Sequence, residues 1–238
     1  MLQIKNLKKS YNGKNILSDL SFEVNKGEVI GLLGPNGAGK TTAFYIAVGL
    51  IAPDGGKVFF QNVDVTDLPI HKRAKMGMGY LAQEPSIFRS LSVEDNIMSI
   101  LELTSLNKNA RKEKLEILLD ELSLSKHRKK KAVTLSGGER RRLEITRALV
   151  TEPQLLLLDE PFANIDPIAI QDLKKLIIHL KKRNISVLIT DHNAREIFSI
   201  VDKSYLIRDG KVLIEGSIDR LMNDKLAKKY YLGEDFHL

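Results

Sequence analysis

The sequence predicts an α/β protein with a mostly parallel sheet, an antiparallel β subdomain and an inserted helical subdomain. Short, wholly apolar runs at residues 29–33 and 155–158 suit parallel strands buried on both faces. Helical patterns follow these runs, so strands and helices alternate along the chain. Between residues 91 and 131 the pattern changes to long helical periodicity with many charges. This change predicts a helical insertion in the alternating fold.

The composition places the chain among ordinary globular proteins. It has 238 residues, of which 43% are apolar and 28% charged, enough for one large domain. No apolar run approaches the roughly 18 residues of a membrane span, and the first ten residues do not resemble a signal peptide. The lack of cysteine excludes disulfides and cysteine metal sites. We therefore expect a cytoplasmic protein that reaches a membrane only through partners.

Basic residues outnumber acidic ones by 37 to 30, a net charge of +7. The densest cluster, KHRKKK, spans residues 126–131 and contains no aromatic side chain. It is interpreted either as a solvated loop or helix end, or as a surface close to anionic lipid headgroups. The run does not match a nucleic-acid-binding module, so no nucleic acid partner is expected.

The N-terminal third is predicted to be mainly β-structure. Alternation over residues 2–7 predicts an edge strand, and residues 20–24 and 57–60 predict further strands. Turns are expected at 11–14 and 54–56. Tyr11, at the first turn, is either a half-buried strand residue or an aromatic that stacks on a base.

Residues 34–41 read GPNGAGKT and fit the phosphate-binding pattern G-x-x-x-x-G-K-[ST]. A strand precedes the loop and a helix follows it, which is the context that this motif requires. Glycines let many amides approach a triphosphate, and the helix start adds a positive dipole end. Lys40 is expected at the outer phosphates and Thr41 at Mg²⁺; an accidental glycine turn is the alternative. The predicted ligands in the loop are Gly34, Pro35, Asn36, Gly37, Ala38, Gly39, Lys40, Thr41 and Thr42.

A second helix start lies at LSGGE, residues 135–139. Ser136 and Glu139 have the spacing of a capping box, so the helix begins here. An ordinary capped helix does not need the pair Gly137 and Gly138, and close backbone approach is the simpler reason for them. The segment is therefore predicted to be a second anion-binding helix end.

Acidic and histidine side chains follow two predicted core strands. Asp159 and Glu160 come directly after residues 155–158, and His192 follows a strand at 186–190. Ligands of open α/β sheets lie beyond the carboxyl ends of strands. Asp159 is therefore predicted to hold Mg²⁺, Glu160 to deprotonate the attacking water, and His192 to contact the γ-phosphate. The alternatives are a surface acidic pair and a structural histidine.

The remaining elements complete the alternating pattern. A short strand is predicted at 78–82, ending at Gln83, and helices at 92–103 and 110–122. Asp166 is an N-cap before Pro167, which opens a helix to about residue 183. Asp209 and Gly210 join strands at 204–208 and 211–215 into a hairpin.

These motifs together resemble the ATP-binding subunits of ABC transporters over essentially the whole chain. The resemblance rests on GPNGAGKTT, Gln83, LSGGE, LLLLDEP, Asp166 and His192, and the LSGG signature is specific to that superfamily. The stretches LAQEPSIFRSLSVEDN, LSGGERRRLEITRAL, DEPFANIDPIA, LITDHNAREI and YLGEDF further resemble the ATPases of lipopolysaccharide export transporters.

The resemblance implies a RecA-like P-loop NTPase core with its β subdomain at residues 1–87 and 150–238, and a helical subdomain at 88–149. It implies ATP and Mg²⁺ as ligands, and a head-to-tail homodimer in which each ATP lies between one phosphate loop and the other copy's Ser136, Gly137 and Gly138. The roles that it assigns to single residues are adenine stacking for Tyr11, sensing of Mg²⁺ and water for Gln83, the dimer seam for Asp166, and the groove for a coupling helix for Phe88 and Arg89.

The expected function is ATP hydrolysis that closes and reopens the homodimer and drives two transmembrane permease subunits, extracting lipopolysaccharide from the inner membrane. The expected location is the cytoplasmic face of that membrane. One alternative is the ATPase of another transporter, such as a branched-chain amino acid importer. A soluble ABC protein acting on DNA or ribosomes is disfavoured, because the chain lacks tandem cassettes and a long coiled-coil insertion. A non-hydrolysing switch is disfavoured because Glu160 and His192 are both in place.

Overall fold

The structure is a computed structural model that describes residues 1–234 and residue 236. Within these residues there are ten strands and nine α-helices. The strands are β1 Leu2–Tyr11, β2 Lys14–Val24, β3 Val29–Leu33, β4 Gly55–Phe60, β5 Val63–Asp64, β6 Met78–Leu81, β7 Leu155–Asp159, β8 Ser186–Thr190, β9 Lys203–Arg208 and β10 Lys211–Gly216. The helices are α1 Lys40–Val48, α2 Ile70–Lys75, α3 Val93–Leu101, α4 Lys108–Glu121, α5 Gly137–Leu149, α6 Pro167–Lys182, α7 Ala194–Phe198, α8 Ile218–Asn223 and α9 Lys225–Ala227.

One sheet carries all ten strands, in the order β5-β4-β1-β2-β10-β9-β3-β8-β7-β6. The half from β9 to β6 is parallel throughout. Every residue of β3, β7 and β8 is buried, which explains why these strands are almost continuously apolar in the sequence. The carboxyl ends of β3, β7 and β8 therefore meet at one edge of a buried sheet.

The other half of the sheet is antiparallel except for the short parallel pairing of β2 with β10, and here two predictions were wrong. β1 pairs with β2 on one side and with β4 on the other, so it is an interior strand and not an edge strand. Its alternation reflects one packed and one open face, a pattern that interior antiparallel strands share with edges. The turn predicted at 54–56 is also shorter, because β4 begins at Gly55. Glycine is needed at position 56 for a different reason, since a Cβ there would lie 2.4 Å from the Asn6 carbonyl oxygen of β1.

Three helices, α3 to α5, lie between β6 and β7 in the chain, where the helical insertion was predicted. The Ser92 side chain caps α3 by accepting from the Asp95 amide, and Asn107 caps α4 in the same way. The predicted helices at 92–103 and 110–122 are thus confirmed to within two residues. Their apolar faces join a hydrophobic core that also contains residues of β7 and β8.

Helix α2 was not predicted, and it carries the largest fully buried side chain among the described residues, Arg73. The guanidinium donates to the carbonyl oxygens of Ile46 and Ala47 at 2.7 Å, at the end of α1. It also donates to Leu68 O at 2.8 Å and to Thr66 O at 2.9 Å. Arg73 therefore joins the last turn of α1 to the loop before α2.

The predicted hairpin of β9 and β10 is confirmed. Asp209 and Gly210 both have positive φ, at 51° and 70°, as a type I′ turn requires. Asp166 caps α6 by accepting from the Ala169 amide at 2.9 Å, as predicted. After β10 the chain continues through α8 and α9; Asp235 of the YLGEDF segment lies outside the described residues.

None of the helices in the described part of the chain is long and apolar enough to cross a membrane.

Candidate nucleotide site

The phosphate loop needs glycine at both ends for steric reasons. Gly34 follows β3 with φ at +151°, and a Cβ there would lie 2.3 Å from the Ile207 carbonyl oxygen. Gly39 has φ at +103°, and its Cβ would lie 2.6 Å from Leu17 Cδ2. Helix α1 begins directly after it, at Lys40. Because Gly39 has no side chain to cap the helix, the first-turn amides are available to an anion.

Lys40 lies inside the loop that precedes it. Its Nζ donates to the Gly34 carbonyl oxygen at 2.7 Å and to that of Pro35 at 3.0 Å. The side chain is only 6% exposed, and burial lowers its pKa, opposed by the carboxylates of Glu160 and Asp159. A cation is thus held between the loop and the acidic end of β7.

A cavity of about 490 Å³ opens over the loop. Its volume falls within the range of small-molecule sites. Its lining consists of Tyr11, Ile16, Asn36, Gly37, Ala38, Gly39, Lys40, Thr41, Thr42, Gln83, Glu160 and His192. Tyr11 is 45% exposed at the rim, as a base-stacking residue would need to be. Asp159 does not line the cavity among the described residues, and lies buried behind Glu160.

The three predicted catalytic side chains meet at the Glu160 carboxylate. Gln83 Nε2 donates to one carboxylate oxygen at 2.7 Å, and His192 Nε2 lies 2.6 Å from the other. Glu160 itself is 7% exposed and has φ at +47°, in the left-handed region. Its backbone N–H donates to the Thr190 carbonyl oxygen at 2.8 Å, which holds the strained residue against β8. The carboxylate is therefore fixed in the cavity wall by two neighbours.

The Asp159 carboxyl is strongly perturbed. Burial and the neighbouring Glu160 raise its pKa to about 6, while Arg141, the Tyr80 hydroxyl and Lys40 act in the opposite direction. The Thr41 hydroxyl and the Gln83 amide line the cavity with oxygens of the kind that Mg²⁺ prefers, and the Asp159 carboxylate lies buried at the adjoining end of β7. Within the described residues no cluster of three or more histidine or acidic side chains could hold a metal ion on its own. The donor set thus fits a Mg²⁺ ion that arrives with nucleotide phosphates.

Replacing Asp159 by Asn is expected to stabilise the fold without nucleotide or metal. A carboxyl with a raised pKa binds its proton more tightly in the folded state, so its favourable contribution is lost as pH rises from about 4 through about 6. Asn does not titrate, and the variant should gain about 2 kcal/mol at about pH 7.5 and nothing near about pH 4. Thermal unfolding in EDTA at both pH values measures this, and an equal gain at both would contradict it.

The predicted capping box at the start of α5 is present. Ser136 Oγ accepts from the Glu139 amide at 3.3 Å, and the Ser136 amide donates to Glu139 Oε2 at 2.9 Å. The close backbone approach predicted for the glycine pair is present, but it is made to other residues of the same chain. A Cβ on Gly138 would lie 2.3 Å from Ala169 Cβ, and one on Gly137 would lie 3.2 Å from the Asn164 carbonyl oxygen.

The structure does not bring this helix start to the phosphate loop of the same chain. Among the described residues, the lining of the phosphate-loop cavity includes neither Ser136 nor its two glycines. Gly137 lines a separate cavity of about 210 Å³, which shares Gln83 and Glu160 with the first. Within the described part of the chain, the start of α5 therefore lines a neighbouring cavity and not the one over Lys40.

Three charged residues on one face of α5 were missed at the sequence level. Arg141 donates to the backbone oxygens of Ala82, at 2.9 Å, and of Asp159, at 3.0 Å. Glu144 accepts from the Ser86 amide at 3.0 Å, and Arg147 donates to the Ser86 carbonyl oxygen at 2.5 Å. Their spacing of three residues was visible, but it is also that of a solvated helix face. Only the structure shows that Glu144 and Arg147 hold the segment after Gln83, and that Arg141 holds the residue before it.

Phe88 is the exposed end of that segment. Its ring is 47% exposed, while its backbone N–H and carbonyl are both bonded to the buried Asn96 side chain at 2.9 Å. The Arg147 guanidinium lies 4.7 Å from the ring centroid. Arg89, beside it, is exposed. An aromatic ring is thus presented to the surface by a well-fixed backbone.

Taken together, a glycine loop between a buried strand and a helix, a buried lysine, and acidic residues at the next strand end define a P-loop nucleotide-binding protein. A profile of the ABC transporter family matches residues 17–163. The chain is 51% identical over its full length to the lipopolysaccharide export system ATP-binding protein LptB of Acidithiobacillus ferridurans, and covers 99% of that protein. It is 46% identical to the protein of the same name from Escherichia coli K12, with the same coverage of both chains.

A solved structure of a nucleotide-free ATP-binding cassette from an ABC transporter superposes with a TM-score of 0.88. The two chains are 28% identical, and the match covers 98% of this chain and 99% of the other. The chain belongs to the ABC transporter family, as an ATP-binding and ATP-hydrolysing subunit. The predicted fold class is thereby confirmed.

Proposed function

We propose that this chain is the ATPase of a lipopolysaccharide export transporter, and that it powers extraction of lipopolysaccharide from the inner membrane toward the outer membrane. The observation that carries the proposal is the full-length similarity to proteins named for that system in two bacteria, at 51% and 46% identity. The similarity covers 99% of each relative and so includes the surface around Phe88 as well as the nucleotide motifs.

In the proposed mechanism, the amides of the phosphate loop and the Lys40 ammonium neutralise the phosphates of ATP. Mg²⁺ bound through Thr41, Gln83 and Asp159 would supply further charge neutralisation at the phosphate oxygens. Glu160 accepts a proton from the attacking water, oriented by Gln83 on one oxygen and by His192 on the other. Positioning and charge stabilisation supply most of the acceleration in such phosphoryl transfers.

We further propose a head-to-tail homodimer. The amides at the start of α5 lie outside the phosphate-loop cavity of their own chain, yet they form an exposed, capped helix end suited to an anion. Placing Ser136, Gly137 and Gly138 of one copy against the ATP of the other would give each ATP amide donors from both copies. Asp166 is exposed at the start of α6, close to the Gly138 contact, and lies at the seam in this arrangement.

The remaining partners are two transmembrane permease subunits, each contributing a coupling helix to the groove at Phe88 and Arg89. This arrangement places the protein on the cytoplasmic face of the inner membrane, held there by those subunits. An aromatic ring presented at the surface beside a cation suits an amphipathic helix end. No nucleic acid takes part.

Purification of the chain from detergent-solubilised membranes tests the proposal. We expect two membrane proteins and bound lipopolysaccharide to copurify with the wild type, and to be lost from a Phe88→Ala variant that still hydrolyses ATP. Companions that form an amino acid permease would favour the importer alternative. Recovery of ribosomes or DNA in place of membrane proteins would contradict a transporter role.

Tyr11 is expected to stack on the adenine ring. Tyr11→Ala should weaken ATP binding by about 1–3 kcal/mol, the range measured for aromatic stacking on a base. Tyr11→Phe keeps the ring and is the matched control. Fluorescent-nucleotide titration of both variants measures the difference, and equal affinities for the Ala and Phe variants would exclude stacking.

A further inference from the structure

The basic run at residues 126–131 divides into two groups in the structure. Its first group is engaged within the chain. His127 is buried, with Nε2 2.9 Å from Glu139 Oε1. Arg128 pairs with Glu94 at 3.0 Å and with Glu116 at 2.9 Å, and Lys129 also contacts Glu94. These three side chains anchor the segment to the helical region and do not offer a free positive charge.

The second group, here called the lysine patch, consists of Lys126, Lys130 and Lys131. All three are exposed. Over residues 1–234 and 236, none of them lies within 4.0 Å of a carboxylate oxygen, the distance that defines the ion pairs above. The patch therefore carries three positive charges that form no ion pair in the described part of the fold.

The backbone ties the lysine patch to the surface around Phe88. Lys131 forms an isolated β-bridge with Ser92. Next to it, the Ala132 amide donates to the Leu91 carbonyl oxygen at 2.9 Å, and the Val133 amide to that of Arg89 at 3.0 Å. Paired backbones lie about 5 Å apart, so Lys130 and Lys131 lie beside the residues after Phe88, and Lys126 precedes them by four residues in the chain.

This surface also exposes large apolar side chains. Beside the groove at Phe88, Leu91 and Val133 are 36% and 45% exposed, and Lys131 is exposed next to them. Apolar groups mixed with cations are the composition of surfaces that sit at the boundary between water and a bilayer. An ordinary solvated helix end would carry the lysines without the apolar side chains.

We propose that the lysine patch contacts anionic lipid headgroups of the bilayer beside the permease subunits. The inference rests on the proposed function, because that function turns the surface at Phe88 and Arg89 toward the membrane. Lysines are hydrated point charges on flexible stems and adapt to a fluid array of phosphates, whereas the bidentate arginine of the run is engaged with Glu94 and Glu116. The contact adds a direct lipid interaction to the association through partners that the sequence predicts.

Sedimentation with vesicles of known composition tests the lipid contact. The full chain is mixed with vesicles of zwitterionic lipid alone, or with about 30% phosphatidylglycerol added. We expect binding only to the anionic vesicles, and its loss as salt rises to about 500 mM. The triple variant Lys126→Gln, Lys130→Gln, Lys131→Gln should partition at least about tenfold more weakly, since each lysine near a charged surface contributes severalfold.

The matched control is Lys26→Gln, Lys72→Gln, Lys75→Gln. It removes three exposed lysines elsewhere and lowers the net charge by the same amount. Equal weakening by both triple variants would show that only total charge matters and would overturn the proposal, as would failure of the wild type to bind anionic vesicles. If the patch variant binds vesicles normally but loses its membrane companions, the patch recognises an acidic protein segment and the lipid assignment is wrong. If lipopolysaccharide does not copurify with the wild-type chain, the result counts against the proposed function and not against the lipid contact.

Discussion

Replacing Glu160 by Gln is expected to lower ATP turnover by about 10²- to 10⁴-fold, the contribution of a positioned general base. The amide has nearly the shape of the carboxylate, so the phosphate loop, Lys40 and the cavity are unchanged. It cannot take a proton from water at neutral pH. Because the loss falls on the chemical step, ATP binding should persist.

The trapped state should be visible as an oligomer. With ATP bound but not cleaved, the Glu160→Gln variant should accumulate a dimer in Mg·ATP that wild type forms only transiently. Gel filtration with light scattering, together with phosphate release, measures both effects. Glu113→Gln, an exposed residue of α4, is the control for loss of one negative charge. Normal phosphate release by the Glu160 variant would refute the assigned role, and a monomer in Mg·ATP would count against the shared site.

Replacing Arg73 by Met is expected to lower the free energy of unfolding by about 3–5 kcal/mol, because each buried acceptor that loses its only donor costs about 1–3 kcal/mol. The guanidinium donates to four backbone carbonyls, two of them at the end of α1. Without it these four oxygens lose a donor, although the Ile46 oxygen keeps its bond from the Gly49 amide at 3.2 Å, and the negative end of the α1 dipole loses its cation. Burial lowers the Arg73 pKa to about 10, so the group is still charged at neutral pH.

Chemical and thermal unfolding measure this loss. For a chain of this size, the expected decrease in melting temperature is about 10 °C. Lys72→Met, on the exposed face of the same helix, removes the same charge and should change stability by less than about 0.5 kcal/mol. Arg73→Lys should recover only part of the loss, because one ammonium cannot reach four carbonyls. Equal stability of the Met and Lys variants would show that the hydrogen-bond geometry is unimportant.

The sequence predicted the residues of the nucleotide site better than the residues that hold the surrounding elements in place. Asp159, Glu160 and His192 follow apolar runs that admit only buried strands, so their position at one sheet edge followed from topology. Nothing local marks Arg73, because its partners are backbone oxygens that any sequence supplies. The interior position of β1 was missed for a similar reason: alternation reports which face is buried, and not how many neighbours a strand has.

The glycine pair of the signature shows a different limit. The sequence indicated a close backbone approach at Gly137 and Gly138, and the structure contains one, but against residues 164–169 of the same chain. Glycine in the sequence indicates that a side chain would not fit at that position, but it does not indicate which neighbouring group lies there. Side-chain networks such as that of Glu144 and Arg147 are missed because helical charge spacing is the same at a surface and at a buried contact.

Ser86 is clamped at both its amide and its carbonyl by α5, and it stands between Gln83 in the nucleotide cavity and Phe88 on the outer surface. The six residues from Gln83 to Phe88 thus connect the side chain bonded to the Glu160 carboxylate with the exposed ring. A displacement of Phe88 would be passed along this segment to Gln83, whose side-chain amide donates to Glu160. Movement of a partner bound at Phe88 would therefore reach the nucleotide site through this short segment of chain.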